Sequence, residues 1–158
     1  MPILRIDGAV YLPSEFTCEQ LAALPAEFQI ADVSRLDPQR QGTAVSLRGL
    51  LSHVQPRPEA NYLGLHAARD DFHASIPLQP ILDRALLIYQ LHGQPLGAAA
   101  GGPFRFFIPD FAACHTHEID ECANVKFVDR MELTLQPGFD NRPHDAQQHA
   151  ALHEKEEH

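Results

Sequence analysis

Short runs of hydrophobic residues fill the chain up to about residue 136 and predict a domain built mainly of short strands. Compact apolar runs and period-two alternation are typical of strands. Such runs lie at residues 3–11, 28–36, 61–67, 72–76, 85–91, 104–108 and 125–135. In the first run, Asp7-Gly8 favours a tight turn, so paired strands are predicted around it. The last run offers four residues to the core: Phe127, Met131, Leu133 and Leu135.

Start and stop signals predict two short helices. Thr17 and Gln20 are spaced as a capping box, in which both side chains satisfy free N–H groups at a helix start. That helix is expected to end before Pro25. Residues 46–51 have apolar positions at helical spacing, and the proline-rich stretch 55–58 ends this second helix.

The order of these elements predicts an α+β fold, a single mixed domain dominated by sheet, because few strands are separated by full crossover helices. We place this domain at residues 1–136, with a polar insertion at 114–122. Residues 137–158 are expected to form a flexible, His-rich polar tail. A chain of 158 residues that are 44% hydrophobic can bury one core, and nothing in the pattern indicates a second.

Charge and composition narrow the partners and the compartment. The formal net charge of −9 argues against nucleic acid or a membrane surface as a partner, since both attract clustered Lys and Arg. No run approaches the roughly 18 apolar residues of a membrane-spanning helix, and the first residues lack a signal-peptide core. A cytoplasmic location is therefore predicted. Three cysteines, an odd number, argue against a secreted disulfide framework.

The insertion at 114–122 concentrates side chains that bind metals. Its candidate ligands for zinc or another transition metal are Cys114, His115, His117 and Cys122. The spacing matches no standard zinc finger or ribbon, which would show two close ligand pairs. Two other interpretations stay open: a redox or disulfide pair of Cys114 with Cys122, and a solvated polar loop.

The remaining histidines fall into two groups. The tail contains His144, His149, His153 and His158. His149 and His153 stand four apart and could share a metal on a helix, although so few apolar anchors favour a disordered end. Outside the tail and the insertion, structural or surface roles are expected for the scattered His53, His66, His73 and His92.

Four stretches together carry a family resemblance. They read VSLRGLL at 45–51, ALLIYQLHGQPL at 85–96, GGPFRFFIP at 101–109 and NVKFVDRMEL at 124–133. In this order, and with the early helix near 21–25, they resemble the oxidoreductase molybdopterin-binding domain of sulfite-oxidase-type enzymes over roughly residues 5–135. The resemblance implies the sulfite oxidase molybdopterin-binding fold.

The resemblance also implies a site for molybdopterin, whose phosphate such domains hold through backbone N–H groups and basic side chains. Arg105 and Lys126 are, by this resemblance, the candidate phosphate contacts. Gly101 and Gly102 would let the backbone approach the phosphate closely, and arginine offers a planar fork of donors. The alternative is structural: a simple turn at the glycines and a surface partner role for Arg105.

The chain departs from the family where molybdenum is bound. Family enzymes usually place a metal-ligating cysteine in the strand that corresponds to 28–36, and here Ala31 or Asp32 occupies that region. A hard carboxylate is a poor substitute for a soft thiolate. Cys18 does not replace it, because the capping box puts Cys18 in the first turn of a helix, where a small buried thiol is expected.

Two functions follow as expectations. The first is a molybdopterin-binding-domain-like protein without classical molybdenum catalysis, which binds a small anionic ligand, a pterin or a metal ion. The second is a molybdopterin-dependent oxidoreductase with unusual metal ligation or one completed by a partner subunit. Because family enzymes add segments that enclose the pterin, a bound cofactor here would be partly open to solvent or covered by another subunit, either a redox partner or a second copy in a homo-oligomer.

Overall fold

The computed structural model of this protein describes residues 1–143, and within them ten strands form two sheets. The first sheet has the order β2-β1-β10-β5-β6, and the second has the order β3-β4-β7-β8 with β9 also paired to β7. The strands are β1 (Leu4–Gly8), β2 (Ser14–Phe16), β3 (Gln29–Ile30), β4 (Thr43–Ser46), β5 (Tyr62–Ala67), β6 (Phe72–Pro77), β7 (Leu86–Leu91), β8 (Gln94–Pro95), β9 (Arg105–Phe107) and β10 (Arg130–Thr134).

The two α-helices lie where their caps predict. In α1 (Cys18–Ala22), the Thr17 hydroxyl accepts from the Gln20 backbone N–H, and the Gln20 side chain accepts from the Thr17 N–H. In α2 (Leu47–Val54), the Ser46 hydroxyl accepts from the Gly49 N–H at 3.1 Å. Within residues 1–143, no helix is long and apolar enough to cross a membrane.

The hairpin turn predicted at Asp7-Gly8 is wrong, because a long-range pairing outweighs the local turn signal. Both residues lie in β1, which runs parallel to β10 with Asp7 opposite Glu132. The connection to β2 follows at residues 9–13. The Asp7 carboxylate accepts from Arg130 Nε at 2.9 Å, which ties the two strands together.

Two predicted strands are shorter in the structure. In 28–36 only Gln29–Ile30 is strand, because the Asp32 carboxylate accepts from the Ser34 N–H and hydroxyl and caps a 3₁₀ turn. In 125–135 the strand begins at Arg130. The Phe127 N–H donates instead to the Gly101 carbonyl at 2.8 Å, with Phe127 in the left-handed region at φ 60°. At the far end, Leu135 is exposed and lies outside the core.

The main core lies between the inner faces of the two sheets and α2. Alternation along β7 places Leu87 and Tyr89 in this core, while Leu86 and Ile88 face the opposite side. The opposite side of the second sheet carries a smaller apolar cluster: Val33, Ala44, Leu86, Ile88, Leu96 and Phe107. The second sheet therefore presents a thin outer layer, on which loops can approach the strands closely.

Residues 138–142 pack along the edge strand β6. The Asn141 N–H donates to the His73 carbonyl at 2.9 Å, and the Gly138 N–H donates to the Ser75 hydroxyl at 2.9 Å. Arg142 is only 7% exposed and donates to the Asp140 carboxylate at 2.7 Å. The first residues of the predicted tail are thus bound to the domain. Its four histidines, His144, His149, His153 and His158, lie outside the described residues.

Arg142 also binds the insertion at 114–122. Arg142 Nη1 donates to the Glu118 carbonyl at 2.7 Å and to the Asp120 carboxylate at 3.2 Å. Because Arg142 is also held by Asp140, one buried guanidinium joins the insertion, the segment 138–142 and the edge of the first sheet.

This cluster predicts that residues 138–142 detach in acid. Burial works to raise the pKa of Asp140, but hydrogen bonds from Arg142 and the Ser75 N–H outweigh it and hold the pKa below its usual value. Because its pKa is lowered, the Asp140 carboxylate stabilises the bound segment at pH values above about 3.9, the ordinary pKa of aspartate. This stabilisation is lost as the pH falls through the pKa of Asp140 in the folded state. Hydrogen exchange should show protection of the Gly138 and Arg142 amides at neutral pH and a loss of this protection below about pH 4. An unchanged acid profile in Asp140→Asn would contradict this assignment.

Candidate functional site

A cleft of about 230 Å³ lies over the outer face of the second sheet. Its walls come from residues 39–41 ahead of β4, from β7, from the turn Ala98–Ala100 and from β9. The lining residues are Gln39, Arg40, Gln41, Ile88, Leu91, Ala100 and Arg105. Amide and guanidinium groups therefore face an apolar floor, an arrangement suited to a small anionic group with an apolar neighbour.

Two like charges share this cleft, which we name the arginine cleft. Burial, and next the nearby Arg40 guanidinium, lower the pKa of Arg105 below its ordinary value. Arg105 Nη1 donates to the Ala100 carbonyl at 3.3 Å. Among the described residues, however, the buried Arg105 Nε has no hydrogen-bond partner. A guanidinium stays protonated in proteins, so an anion would both neutralise the cleft and satisfy this donor.

The Lys126 side chain lies beside Arg105 at Gly101, next to the arginine cleft. A β-carbon placed on Gly101 would lie 3.0 Å from Arg105 Cδ and 3.0 Å from Lys126 Cγ, so the two side chains meet over that glycine. The Phe127 N–H donates to the Gly101 carbonyl at 2.8 Å and fixes the neighbouring Lys126 relative to this turn. Three of the four candidate cofactor-binding residues, Gly101, Arg105 and Lys126, are thus brought together.

Gly102, the fourth candidate, packs tightly in the same turn. Its N–H donates to the Gly97 carbonyl at 2.9 Å. A β-carbon on Gly102 would overlap the backbone carbonyl of Leu96. The absence of a side chain at Gly102 therefore lets the turn fold back on Leu96, which directly follows β8.

Gly101→Ala is predicted to destabilise the protein by about 1–2 kcal/mol, because Gly101 has φ +90° and the new methyl group would press on Arg105 and Lys126. Urea unfolding measures this loss. Gly97→Ala is the matched control, since Gly97 has φ −77° and open space around it, and the change should stay within about 0.5 kcal/mol. Equal losses in the two variants would show that the contacts over Gly101 do not matter.

The structure does not support a metal site in the insertion. Among residues 1–143, no three His, Cys, Asp or Glu side chains form a group that could hold a metal ion. Of the candidate ligands Cys114, His115, His117 and Cys122, the first lies in the 3₁₀ turn Phe111–Cys114 and the last in the 3₁₀ turn Glu121–Ala123. The Cys114 thiol donates to the Pro80 carbonyl at 3.6 Å. Nor does a disulfide join Cys114 and Cys122, although both lie in the described part of the chain. Arg142 binds this polar loop through the Glu118 carbonyl and the Asp120 carboxylate.

Comparison with known proteins agrees with this geometry. Residues 39–141 match the family model of the oxidoreductase molybdopterin binding domain. The chain belongs to this family. The matched region includes the whole arginine cleft and both predicted basic contacts, Arg105 and Lys126.

The fold of this molybdopterin-binding domain also matches a solved structure. The crystal structure of the sulfane dehydrogenase SoxCD from Paracoccus pantotrophus is similar with a TM-score of 0.62 and 22% sequence identity. The match covers 86% of this chain and 39% of that chain, so this chain spans about two fifths of the length of the protein it matches. The prediction of a mixed α+β, sulfite-oxidase-type fold is confirmed. No curated protein sequence matches the chain.

Thiols of this molybdopterin-binding domain lie away from the arginine cleft. All three cysteines fall within residues 1–143, and none lines the cleft. Burial raises the pKa of the Cys18 thiol, and burial likewise raises the pKa of Cys114. A raised pKa keeps a thiol protonated at neutral pH, and the thiolate is the form that binds metal. Asp32, in the region of the family's metal ligand, instead caps the turn Val33–Arg35.

Sequence reasoning missed Arg40 and the two glutamines beside it. The signal available was the polar stretch Gln39-Arg40-Gln41-Gly42 directly before a strand, where a loop can place side chains over a sheet. It also missed a ring-to-ring contact of His66 with His73. The turn between the strand runs at 61–67 and 72–76 is centred between residues 69 and 70, so the hairpin register pairs these histidines. Placing the turn there from the sequence would have predicted the contact.

Proposed function

We propose that this chain is a pterin-binding member of the molybdopterin-domain family that does not carry out classical molybdenum catalysis. In this proposal the arginine cleft takes the phosphate of the pterin, with Arg105 and Arg40 as donors and Lys126 as a further positive charge. Gln39 and Gln41 contribute neutral hydrogen-bonding groups at the rim.

The observation that carries the proposal is the buried Arg105 Nε, which has no partner among the described residues and lies in a cleft shared with a second guanidinium. Buried donors are almost always satisfied, so an orphaned one next to a like charge points to a missing anion. Phosphate supplies several acceptor oxygens in a geometry that a guanidinium fork matches. The residues present therefore fit the phosphate end of the pterin.

The metal end fits less well. Molybdenum held by a pterin dithiolene supplies oxidation–reduction chemistry when the family's protein thiolate completes its ligands. In this chain Ala31 and Asp32 occupy that region, the Asp32 carboxylate is engaged by Ser34, and no cysteine lines the cleft. We therefore assign this chain a binding role, with the pterin or a related phosphate compound as the ligand.

Two measurements on the purified full chain test the proposal. Fluorescence after oxidative release should reveal about one pterin per chain when the protein is produced in cells that make molybdopterin, and metal analysis should reveal no stoichiometric molybdenum. Titration with inorganic phosphate at constant ionic strength should show saturable binding.

The outcomes separate the parts of the proposal. One pterin with one molybdenum per chain would overturn the non-catalytic role and favour an oxidoreductase with unusual ligation or a partner subunit. Neither pterin nor saturable phosphate binding would overturn the cleft as an anion site.

A further inference from the structure

Two histidines of the β5–β6 hairpin meet ring to ring on the first sheet. The register pairs His66 with His73, and their Nδ1 atoms lie 2.8 Å apart. His66 Nε2 lies 3.0 Å from Glu132 Oε1, and His73 Nε2 lies 2.9 Å from Asp71 Oδ1. The four side chains form one hydrogen-bonded chain with a carboxylate at each end.

These three hydrogen bonds fix the number of protons on the pair. An ionised carboxylate can only accept, so both Nε2 atoms must carry a proton. Of the two facing Nδ1 atoms, one must donate and the other must accept. With both carboxylates ionised, this bonding places three protons on the two rings, one more than two neutral imidazoles carry.

The surroundings stabilise one positive charge on the pair. His66 and His73 side chains are only 13% and 19% exposed. Glu132 also binds Arg130 at 3.3 Å, and Arg130 binds Asp7, which holds the inner carboxylate in place. The charged side chains on the elements around the pair are Asp7, Asp71, Asp129, Arg130, Glu132 and the mutually paired Asp140 and Arg142. Carboxylates outnumber guanidinium groups in this set.

The pair also holds the segment 138–142. The His73 N–H donates to the Asn141 side-chain carbonyl at 2.8 Å, and the Asn141 N–H donates back to the His73 carbonyl at 2.9 Å. The Phe139 ring packs edge-on against the His73 ring, with centroids 4.8 Å apart. Asn141 Nδ2 also donates to the Asp71 carbonyl at 2.7 Å. Phe139 contacts the His73 ring itself, and Asn141 binds the backbone of the residue that carries this ring.

We infer that His66 and His73 share one proton and form a pH-sensitive clasp that keeps residues 138–142 on the edge of β6. A second proton would point two N–H groups at each other across 2.8 Å, so the rings must separate. His73 moves because it lies on the edge strand and is the more exposed of the two. Its movement removes the surface on which Phe139 packs.

The sign of the pH dependence follows from the proton count. In mild acid the open form carries two positively charged rings and the closed form carries one, so the closed form becomes less favourable as the pH falls. In alkali the open form carries no ring cation and the closed form one, so closing also weakens as pH rises. Since histidine ordinarily changes charge between pH 5 and 8, the segment should be held most firmly inside that range. Release through Asp140 is a separate event below about pH 4.

Two readouts on the full chain test the clasp. Nitrogen and proton NMR of the histidine rings should show one strongly deshielded Nδ1 proton shared by His66 and His73, present near neutral pH and lost on both sides. Hydrogen-exchange protection at Asn141 should fall over the same two transitions, by about tenfold per pH unit, because open and closed forms differ by one proton.

Variants separate the clasp from a passive contact. His66→Gln should remove the shared proton and flatten the protection profile of Asn141 above pH 5, whereas His53→Gln, at an exposed histidine that contacts Phe16, should leave it unchanged. Asp140→Asn should retain the histidine-dependent transitions. A protection profile in His66→Gln identical to that of the native chain would overturn the proposal. The proposal would also be overturned if, in the native chain, the midpoints of the histidine-ring NMR transitions differed from those of Asn141 amide protection. This comparison does not depend on the folding of a variant.

Discussion

Arg142→Met is expected to lower the free energy of unfolding by about 3 kcal/mol, the largest stability loss we predict for a single side chain here. The guanidinium is 7% exposed and makes hydrogen bonds to two carboxylates and to the carbonyls of Glu118 and Ser75. Methionine keeps the apolar length but leaves the partly buried Asp140 carboxylate without its cation. Urea unfolding at pH 7 measures the loss, which corresponds to roughly 9 °C in melting temperature.

The control is the same substitution at an exposed ion pair. Arg48→Met removes the partner of Asp83, and both side chains of that pair are more than half exposed, so the loss should stay below about 1 kcal/mol. A second check uses pH: the difference between native and Arg142→Met protein should shrink below about pH 4, where Asp140 becomes protonated. Similar losses for the two variants would mean that Arg142 acts only as packing.

Local signals allowed a correct prediction of several elements. The capping residues Thr17, Gln20 and Ser46 satisfy backbone groups within three residues of themselves, so their effect is visible in the sequence. The strand runs that became β5, β6 and β7 are apolar enough to be recognised without knowledge of their partners. Local signals fail where a long-range contact determines the structure. Asp7-Gly8 forms no turn because these residues pair with β10. Phe127 lies outside the strand because its N–H donates to the Gly101 carbonyl.

The candidate site was predictable only in part, for a similar reason. Arg105, Lys126 and Gly101 were identified by family resemblance, and the fold brings them together. Arg40 is 65 residues before Arg105 and carries no motif, so its place in the cleft depends on how 39–41 folds over β7. The insertion has ligand types that bind metals, but among residues 1–143 its side chains form no group that could hold an ion, and Arg142 binds its backbone at Glu118.

Arg105→Gln is expected to weaken phosphate binding by about 10- to 100-fold, the largest functional effect predicted for this chain. Hydrogen bonds to charged groups contribute about 1.5–3 kcal/mol each, and Arg105 supplies the orphaned buried donor of the arginine cleft. Calorimetric titration with inorganic phosphate at fixed ionic strength measures the change. Glutamine keeps a hydrogen-bonding group near the Ala100 carbonyl but removes the charge and the fork.

Stability separates this role from a structural one, because the two roles predict opposite results. Removal of a structural arginine would lower the free energy of unfolding. Arg105, however, shares its cleft with Arg40 and has an Nε without a partner among the described residues. The free energy of unfolding of ligand-free Arg105→Gln should therefore lie within about 1 kcal/mol of the native value. Arg57→Gln makes the same charge change at an exposed arginine that stacks on Tyr11, and it should leave phosphate affinity unaltered. A loss of affinity of equal size in Arg57→Gln would assign the effect to net charge, and a loss of stability without a loss of affinity in Arg105→Gln would assign Arg105 to the fold.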